Sequence, residues 1–205
     1  MLHDTYYVVM HGNLYRMVLG ALSVIATLVG LYPYVLSIRR NQTHPHLFTW
    51  LVWGVLTSII FTIQVIENAG PGAWCTGVTA ASMFVIMAAG YRSGERRGTR
   101  NDRIALAASL SAIPLWILTK NPTFAAVFIT CIDLVAFYPT VAKTWRKPYS
   151  EHLFYYWIWL IKYPLSLLAL RTFTVATIVY PAAWTLAGIG FISMVLIRRQ
   201  KEQSH

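Results

Sequence analysis

The stretch YPYVLSIRRNQTHPHLFTWLVW, residues 32–53, decides the architecture, because the chain repeats it as YPTVAKTWRKPYSEHLFYYWIW at residues 138–159. At a constant offset of 106 residues and without a gap, Tyr32-Pro33 falls on Tyr138-Pro139, Val35 on Val141 and Arg40 on Arg146. His46, Leu47, Phe48 and Trp53 fall in the same way on His152, Leu153, Phe154 and Trp159. Downstream, Pro71-x-Ala73-Trp74 is echoed at an offset of 110 by Pro181-x-Ala183-Trp184, so the first copy is shorter between its two motifs. A duplicated unit fixes the organisation of a chain before any single element is considered.

Composition names the solvent. Hydrophobic residues make up 57% of the 205 and charged residues 12%, where an average soluble domain carries roughly 25% charged residues. The chain lacks the polar surface to cover a soluble core, and a bilayer is the expected surrounding. The net charge of +10 does not signal nucleic acid, because the basic residues sit in short loops between apolar runs. Cys75 and Cys131 lie in apolar segments without metal spacing and read as small buried hydrophobes. His44-Pro45-His46 has no carboxylate or cysteine nearby to complete a metal site. The segment Met1–Asn13 has no basic leader, and the apolar run after it is too long for a signal-peptide core, so it is expected to be retained.

A membrane-spanning helix needs about 20 mainly apolar residues. Seven runs are expected to span: Leu14–Ile38, Leu47–Ile66, Ala73–Tyr91, Ile104–Thr119, Thr123–Ala142, Leu153–Leu170 and Val175–Ile197. With seven spans, Arg39 and Arg40, the arginines between Arg92 and Arg103, Lys143, Arg146 and Lys147, and Arg198, Arg199 and Lys201 all fall on one side. Six spans would split them. The positive-inside bias then places the N-terminus outside and the C-terminus in the cytoplasm, as in a bacterial inner-membrane protein, with the basic loops against anionic lipid headgroups. The repeats occupy spans one to three and five to seven, and span four links them. One linker span returns the second copy in the same orientation as the first, giving parallel repeats about an axis along the membrane normal. The expected fold is all-α and polytopic. Its parts are an extracytoplasmic segment (1–13), a first repeat (14–91), a basic loop and linker helix (92–119), a second repeat (120–197) and a cytoplasmic tail (198–205).

This three-one-three layout, with Pro33 and Pro139 near the cytoplasmic ends of spans one and five, resembles the SWEET and PQ-loop superfamily of small-solute transporters, whose layout the nicotinamide riboside (PnuC-type) transporters share. Where that superfamily carries Pro-Gln, this chain has Pro33-Tyr34 and Pro139-Thr140. The resemblance implies a solute cavity between the two repeats, with the two prolines as hinges.

Several residues could carry that chemistry. His46, Trp50 and Trp53, and their counterparts His152, Tyr156 and Trp159, are spaced i, i+4, i+7 and share one helical face in each copy. They read either as an aromatic-lined passage that stacks on a ring-shaped solute or as anchors at the membrane interface. Trp74 and Trp184, at the outer span ends, read as interface anchors. Asp133 and Lys162 lie mid-span, where ionisable groups are costly and usually functional. Each stands nine residues from the cytoplasmic end of its span, which predicts an ion pair, either fixing helix packing or coupling transport to protons. Their counterparts, Thr27 and Leu56, are uncharged. Pro33 and Pro139 each remove a helical hydrogen bond and read as paired hinges or static bends. Gly70-Pro71-Gly72 reads as a connector and helix start.

No catalytic constellation is visible, and the chain is not expected to be an enzyme or to need a cofactor or metal. The expected function is facilitated passage of a small polar solute such as a sugar, nucleoside or vitamin, by alternating access between the repeats. The alternative is a sensor or scaffold that keeps the fold without transport. Both leave room for a homo-oligomer.

Overall fold

In a computed structural model of the chain, the described residues are 2–45, 47–92, 100–149 and 153–203. Within them, the side chains of 2–11, 101, 102, 105, 106, 108, 109, 112, 113, 115, 116 and 139 are not described. His46 and His152 lie outside the described residues, as do Arg96 and Arg97 of the basic loop.

Among the described residues, seven helices account for the regular structure: α1 (Leu2–Arg39), α2 (Leu47–Ile66), α3 (Ala73–Ala89), α4 (Arg100–Thr119), α5 (Pro122–Arg146), α6 (Leu153–Leu168) and α7 (Val175–Gln203). A single 3-10 turn, Gly70–Gly72, precedes α3. No strand occurs among the described residues.

The stops and starts follow local chemistry. α1 and α2 end in the same way, on an asparagine with positive φ (Asn41 at 55°, Asn68 at 56°). At each end a six-to-one bond closes the turn, Gln42 N to Ser37 O at 2.9 Å and Ala69 N to Gln64 O at 2.9 Å. Asparagine tolerates this left-handed position because its short polar side chain adds little steric cost. α5 begins with Asn121, whose side chain accepts from Phe124 N at 3.1 Å, followed by Pro122 in the first turn. That is the expected cap followed by a residue that lacks only an N–H the helix could not use.

Among the described residues, five helical segments are long and apolar enough to cross a membrane: Gly12–Arg39, Leu47–Ile66, Gly70–Ala89, Pro122–Arg146 and Val175–Gln203. Expected spans four and six fall outside this set. α6 has 16 residues, about 24 Å at 1.5 Å each, against a hydrocarbon core of about 30 Å. α4 opens on Arg100, Asp102 and Arg103. The surface suits a bilayer: along α1, Leu14, Val18, Leu22, Ile25 and Val29 are exposed, as are Ile117, Leu118, Val135 and Leu186 elsewhere. Meanwhile Ser23, Thr57, Gln64, Thr76, Thr130 and Thr177 are buried. Apolar groups outward and hydroxyls inward reverse the soluble pattern and describe a multi-pass membrane protein.

Some expected boundaries move. The helix that carries the first span starts at Leu2, ahead of the apolar stretch, which begins at Gly12; no proline interrupts residues 2–13. α7 continues to Gln203 because Arg, Gln, Lys and Glu are good helix formers even where the apolar run has ended. Neither Pro33 nor Pro139 breaks its helix: α1 and α5 run through them.

The helices pack in a reciprocal pattern. α3 lies against both α1 and α2, and α7 against both α5 and α6. Across the halves, α1 meets α6, α2 meets α5, α2 meets α7 and α3 meets α6, while α4 packs on α5 and α2. The loop after α2 and the loop after α6 meet at one end of the bundle. There Arg171 N donates to Ala69 O at 2.9 Å and Thr172 Oγ1 donates to Asn68 O at 3.0 Å. Ser166 Oγ donates to Gly72 O at 2.7 Å. Gly72 permits this approach, since a Cβ there would stand 2.8 Å from Ser166 O. Gly70 holds φ at +64°, a conformation that glycine adopts without strain. Ala69, Ala73 and Leu170 form a buried plug at the same end, packed on Phe61, Leu167 and Ile178.

Candidate functional site

A cavity of about 650 Å³ opens among α1, α2, α3, α5, α6 and α7, within the range of roughly 300–1,000 Å³ common for small-molecule sites. Its outer part is lined by Ser37, by Gln42 and Thr43 of the α1–α2 loop, and by Phe154, and Gln42 is exposed. Its inner part reaches Thr79, Lys162, Tyr163, Tyr180 and Trp184. The cavity therefore faces the end that carries Arg39, Arg40, Lys143, Arg146 and Lys147. The opposite end is closed by the plug and the loop–loop hydrogen bonds.

The aromatic residues read from the repeat meet here. Trp50, Trp53, Tyr156 and Trp159 all line the cavity, with Pro33. Trp50 packs edge-on to Trp53 at 5.5 Å and lies 5.3 Å from Tyr34. On the other wall Tyr156 and Trp159 are 5.0 Å apart, and Trp159 and Trp184 are 4.9 Å apart, both edge-on. Phe137 stands at the centre of this group, 5.4 Å from Trp159 and 5.6 Å from Trp184. Such edge-to-face contacts add to the burial of each ring and hold its orientation. The two walls differ in depth, since Tyr156 and Trp159 are buried and Trp50 and Trp53 half-buried.

Trp184 is not the interface anchor that its position in the repeat suggested. It is 5% exposed, whereas Trp74 is 39% exposed. The cause is the helix start. Trp74 is the second residue of α3, but α7 begins at Val175, nine residues before Trp184, which sinks the ring by about 14 Å at 1.5 Å per residue.

The expected Asp133–Lys162 ion pair is not formed. Both residues line the cavity and are buried, at 3% and 4% exposure. Asp133 Oδ2 accepts from Tyr180 OH at 3.3 Å. Lys162 Nζ donates to Thr79 Oγ1 at 3.0 Å and lies 4.6 Å from the centre of the Tyr163 ring. The side chains diverge: Asp133 turns to the α7 wall and Lys162 to the α3 wall. The Tyr180 hydroxyl also meets Thr57 Oγ1 at 3.3 Å, linking α5, α7 and α2. The Trp184 N–H lies close to the same carboxylate but finds no hydrogen-bond acceptor in good geometry.

Tyr163, Tyr180, Phe137 and Thr79 were not singled out from sequence. One signal was present: Tyr-Pro occurs not only at Tyr32-Pro33 and Tyr138-Pro139 but also at Tyr163-Pro164 and Tyr180-Pro181. Pro181 has a further effect. It removes the hydrogen bond that the Thr177 carbonyl would receive in an unbroken ladder, and Gln64 Nε2 of α2 donates to that carbonyl instead, at 3.2 Å. In hydrocarbon such a replacement donor is what makes an interior proline tolerable.

Comparison with protein-family models, with curated proteins and with solved structures finds no match.

Proposed function

We propose that the chain is a facilitator that carries a small polar solute across a membrane by alternating access, on a SWEET- or PQ-loop-like plan. In this reading α4 and the short α6 also span, giving seven spans with the N-terminus outside. α1–α3 and α5–α7 form two parallel repeats about an axis along the membrane normal. The reciprocal packing supports this: exchanging α1 with α5, α2 with α6 and α3 with α7 maps α1–α3 onto α5–α7, α2–α3 onto α6–α7 and α1–α6 onto α2–α5. α6 reaches across with the α6–α7 loop, and its charged Lys162 faces the cavity and not lipid.

One observation carries the functional reading. The aromatic residues matched between the two copies, Trp50 with Tyr156 and Trp53 with Trp159, converge on one cavity that faces the basic end and is closed at the other. A cavity open at one end and shut at the other is the resting geometry that alternating access requires. A sensor needs a pocket but no path.

Counterflow in proteoliposomes tests it, with pooled labelled sugars, nucleosides, amino acids and vitamins on wild type and on Trp50→Ala/Trp53→Ala. Uptake of one pool by wild type, lost in the folded double variant, is the expected result. Absence of flux from every pool, with folded protein verified in the vesicles, would leave a binding-only sensor or scaffold.

A further inference from the structure

We infer that the cavity takes a zwitterionic solute with an aromatic or apolar body, its cationic group at Asp133 and its anionic group at Lys162. The inference rests on the transporter reading and names the substrate class of that same cavity.

Among the described lining residues, Asp133 is the only carboxylate and Lys162 the only amine or guanidinium. Both are more than nine-tenths buried, and they do not pair with each other. Each has only uncharged partners: Tyr180 for the carboxylate, Thr79 and the Tyr163 ring for the ammonium. Burying two charges that leave each other uncompensated is costly, and an opposite charge brought close by a ligand relieves that cost. The cavity gives space for that charge to arrive with a ligand.

The alternatives fit less well. A neutral sugar or nucleoside can hydrogen-bond to both groups but cancels neither charge. A cation satisfies Asp133 and leaves Lys162 uncompensated, and an anion does the reverse. A molecule that carries both signs satisfies both walls at once. The two groups turn to partners on different helices, Asp133 of α5 toward Tyr180 of α7 and Lys162 of α6 toward Thr79 of α3. Trp159, Trp184, Phe137 and Tyr156 line the same cavity, and their faces and edges suit a flat ring or a short alkyl chain. The aromatic walls also shield the charge-assisted contacts from water, which strengthens them.

The test uses the purified full chain in proteoliposomes. Probes are L-phenylalanine and L-tryptophan, the linear zwitterions 4-aminobutanoate and 6-aminohexanoate for other charge spacings, the cation phenylalaninamide, the anion 3-phenylpropionate, and glucose and uridine. Binding is read by quenching of tryptophan fluorescence, and uptake by counterflow. At least one zwitterion is expected to bind at least tenfold more tightly than every single-charged or neutral probe, and to be taken up. Two variants sharpen the assignment. In Asp133→Asn the preference should move toward 3-phenylpropionate, and in Lys162→Gln toward phenylalaninamide.

The wild-type comparison needs no variant, so misfolding of either one leaves it standing. Tighter binding of glucose or uridine, equal binding of a single-charged probe, or binding of none of the zwitterions to folded protein overturns the inference. Unchanged selectivity in both folded variants also overturns it. Flux of a neutral solute alone would refute the zwitterion while the transporter reading survives. Zwitterion binding without flux of any probe would refute transport while the pocket assignment survives.

Discussion

Set side by side, the two halves share a sequence pattern and disagree in charge. Where the first half has Thr27 and Leu56, the second has Asp133 and Lys162. Thr27 is satisfied within its own helix, donating to Ser23 O at 2.9 Å, and Leu56 is wholly buried in the apolar core. Their counterparts line the cavity. The aromatic pairs behave differently again: they occur in both halves and face the same space from opposite walls. Symmetry in this molecule thus lies in the rings that define the cavity, and asymmetry in the two groups able to recognise a charged ligand. A sequence pattern written twice can divide these roles, because the lining draws on both copies and the charged groups come from one.

Replacement experiments can break or sharpen that comparison. The largest effect is expected at the aromatic walls. Trp159→Ala removes a buried ring from the centre of the cluster and should cost about 3–5 kcal/mol of stability, whereas half-buried Trp53→Ala should cost about 1 kcal/mol. Thermal unfolding in detergent measures both, and equal costs would mean that the two walls do not differ in packing. Next comes the double exchange Asp133→Thr/Lys162→Leu, which gives the second half the residues of the first. Loss of two charge-assisted contacts, at about 1.5–3 kcal/mol each, should weaken solute binding by about a hundredfold or more. Stability should hold or rise, because buried charges exchanged for neutral groups often leave a fold unharmed or about 1–4 kcal/mol more stable. A collapse of the fold would assign the charges to packing instead.

A smaller effect is expected where the halves are tied together. Gln64→Leu leaves the Thr177 carbonyl beside Pro181 without its donor and should cost about 1–3 kcal/mol. No loss would show that the proline in α7 is tolerated without help from α2. The smallest belongs to Gly190, where an added Cβ meets nothing within 4 Å. Gly190→Ala should raise stability by about 0.5–1 kcal/mol, the helix-propensity gain of alanine over glycine, and a loss would reveal a neighbour packed on that face of α7.

Much of this was legible in the sequence, for identifiable reasons. α2 runs over Leu47–Ile66 as read, because its apolar run is bounded by a proline-containing loop and by Glu67-Asn68. The aromatic lining was legible because duplication marks it twice. Tyr163 and Tyr180 escaped because they break the repeat: Thr57 and Gly70 stand at the matching positions. Trp184 was misplaced because the repeat aligns residues but not helix starts. The absent ion pair has a simpler cause. Counting residues from a helix end gives depth, but each further residue turns the side chain by about 100°, and two groups at one depth can face different walls. Nor does an apolar run report where a helix ends, as the charged last turn of α7 shows.

The closed end of the bundle has a consequence for how the chain can drift. One of its bonds runs from main chain to main chain, Arg171 N to Ala69 O. Every amino acid but proline supplies that donor, and every one supplies that acceptor. The bond itself is therefore indifferent to the letter at position 171, proline excepted, whereas Ala69 is kept small by its burial in the plug. The side chain at 171 can turn over while the clasp persists, and a search for a fixed residue there would miss the contact that remains.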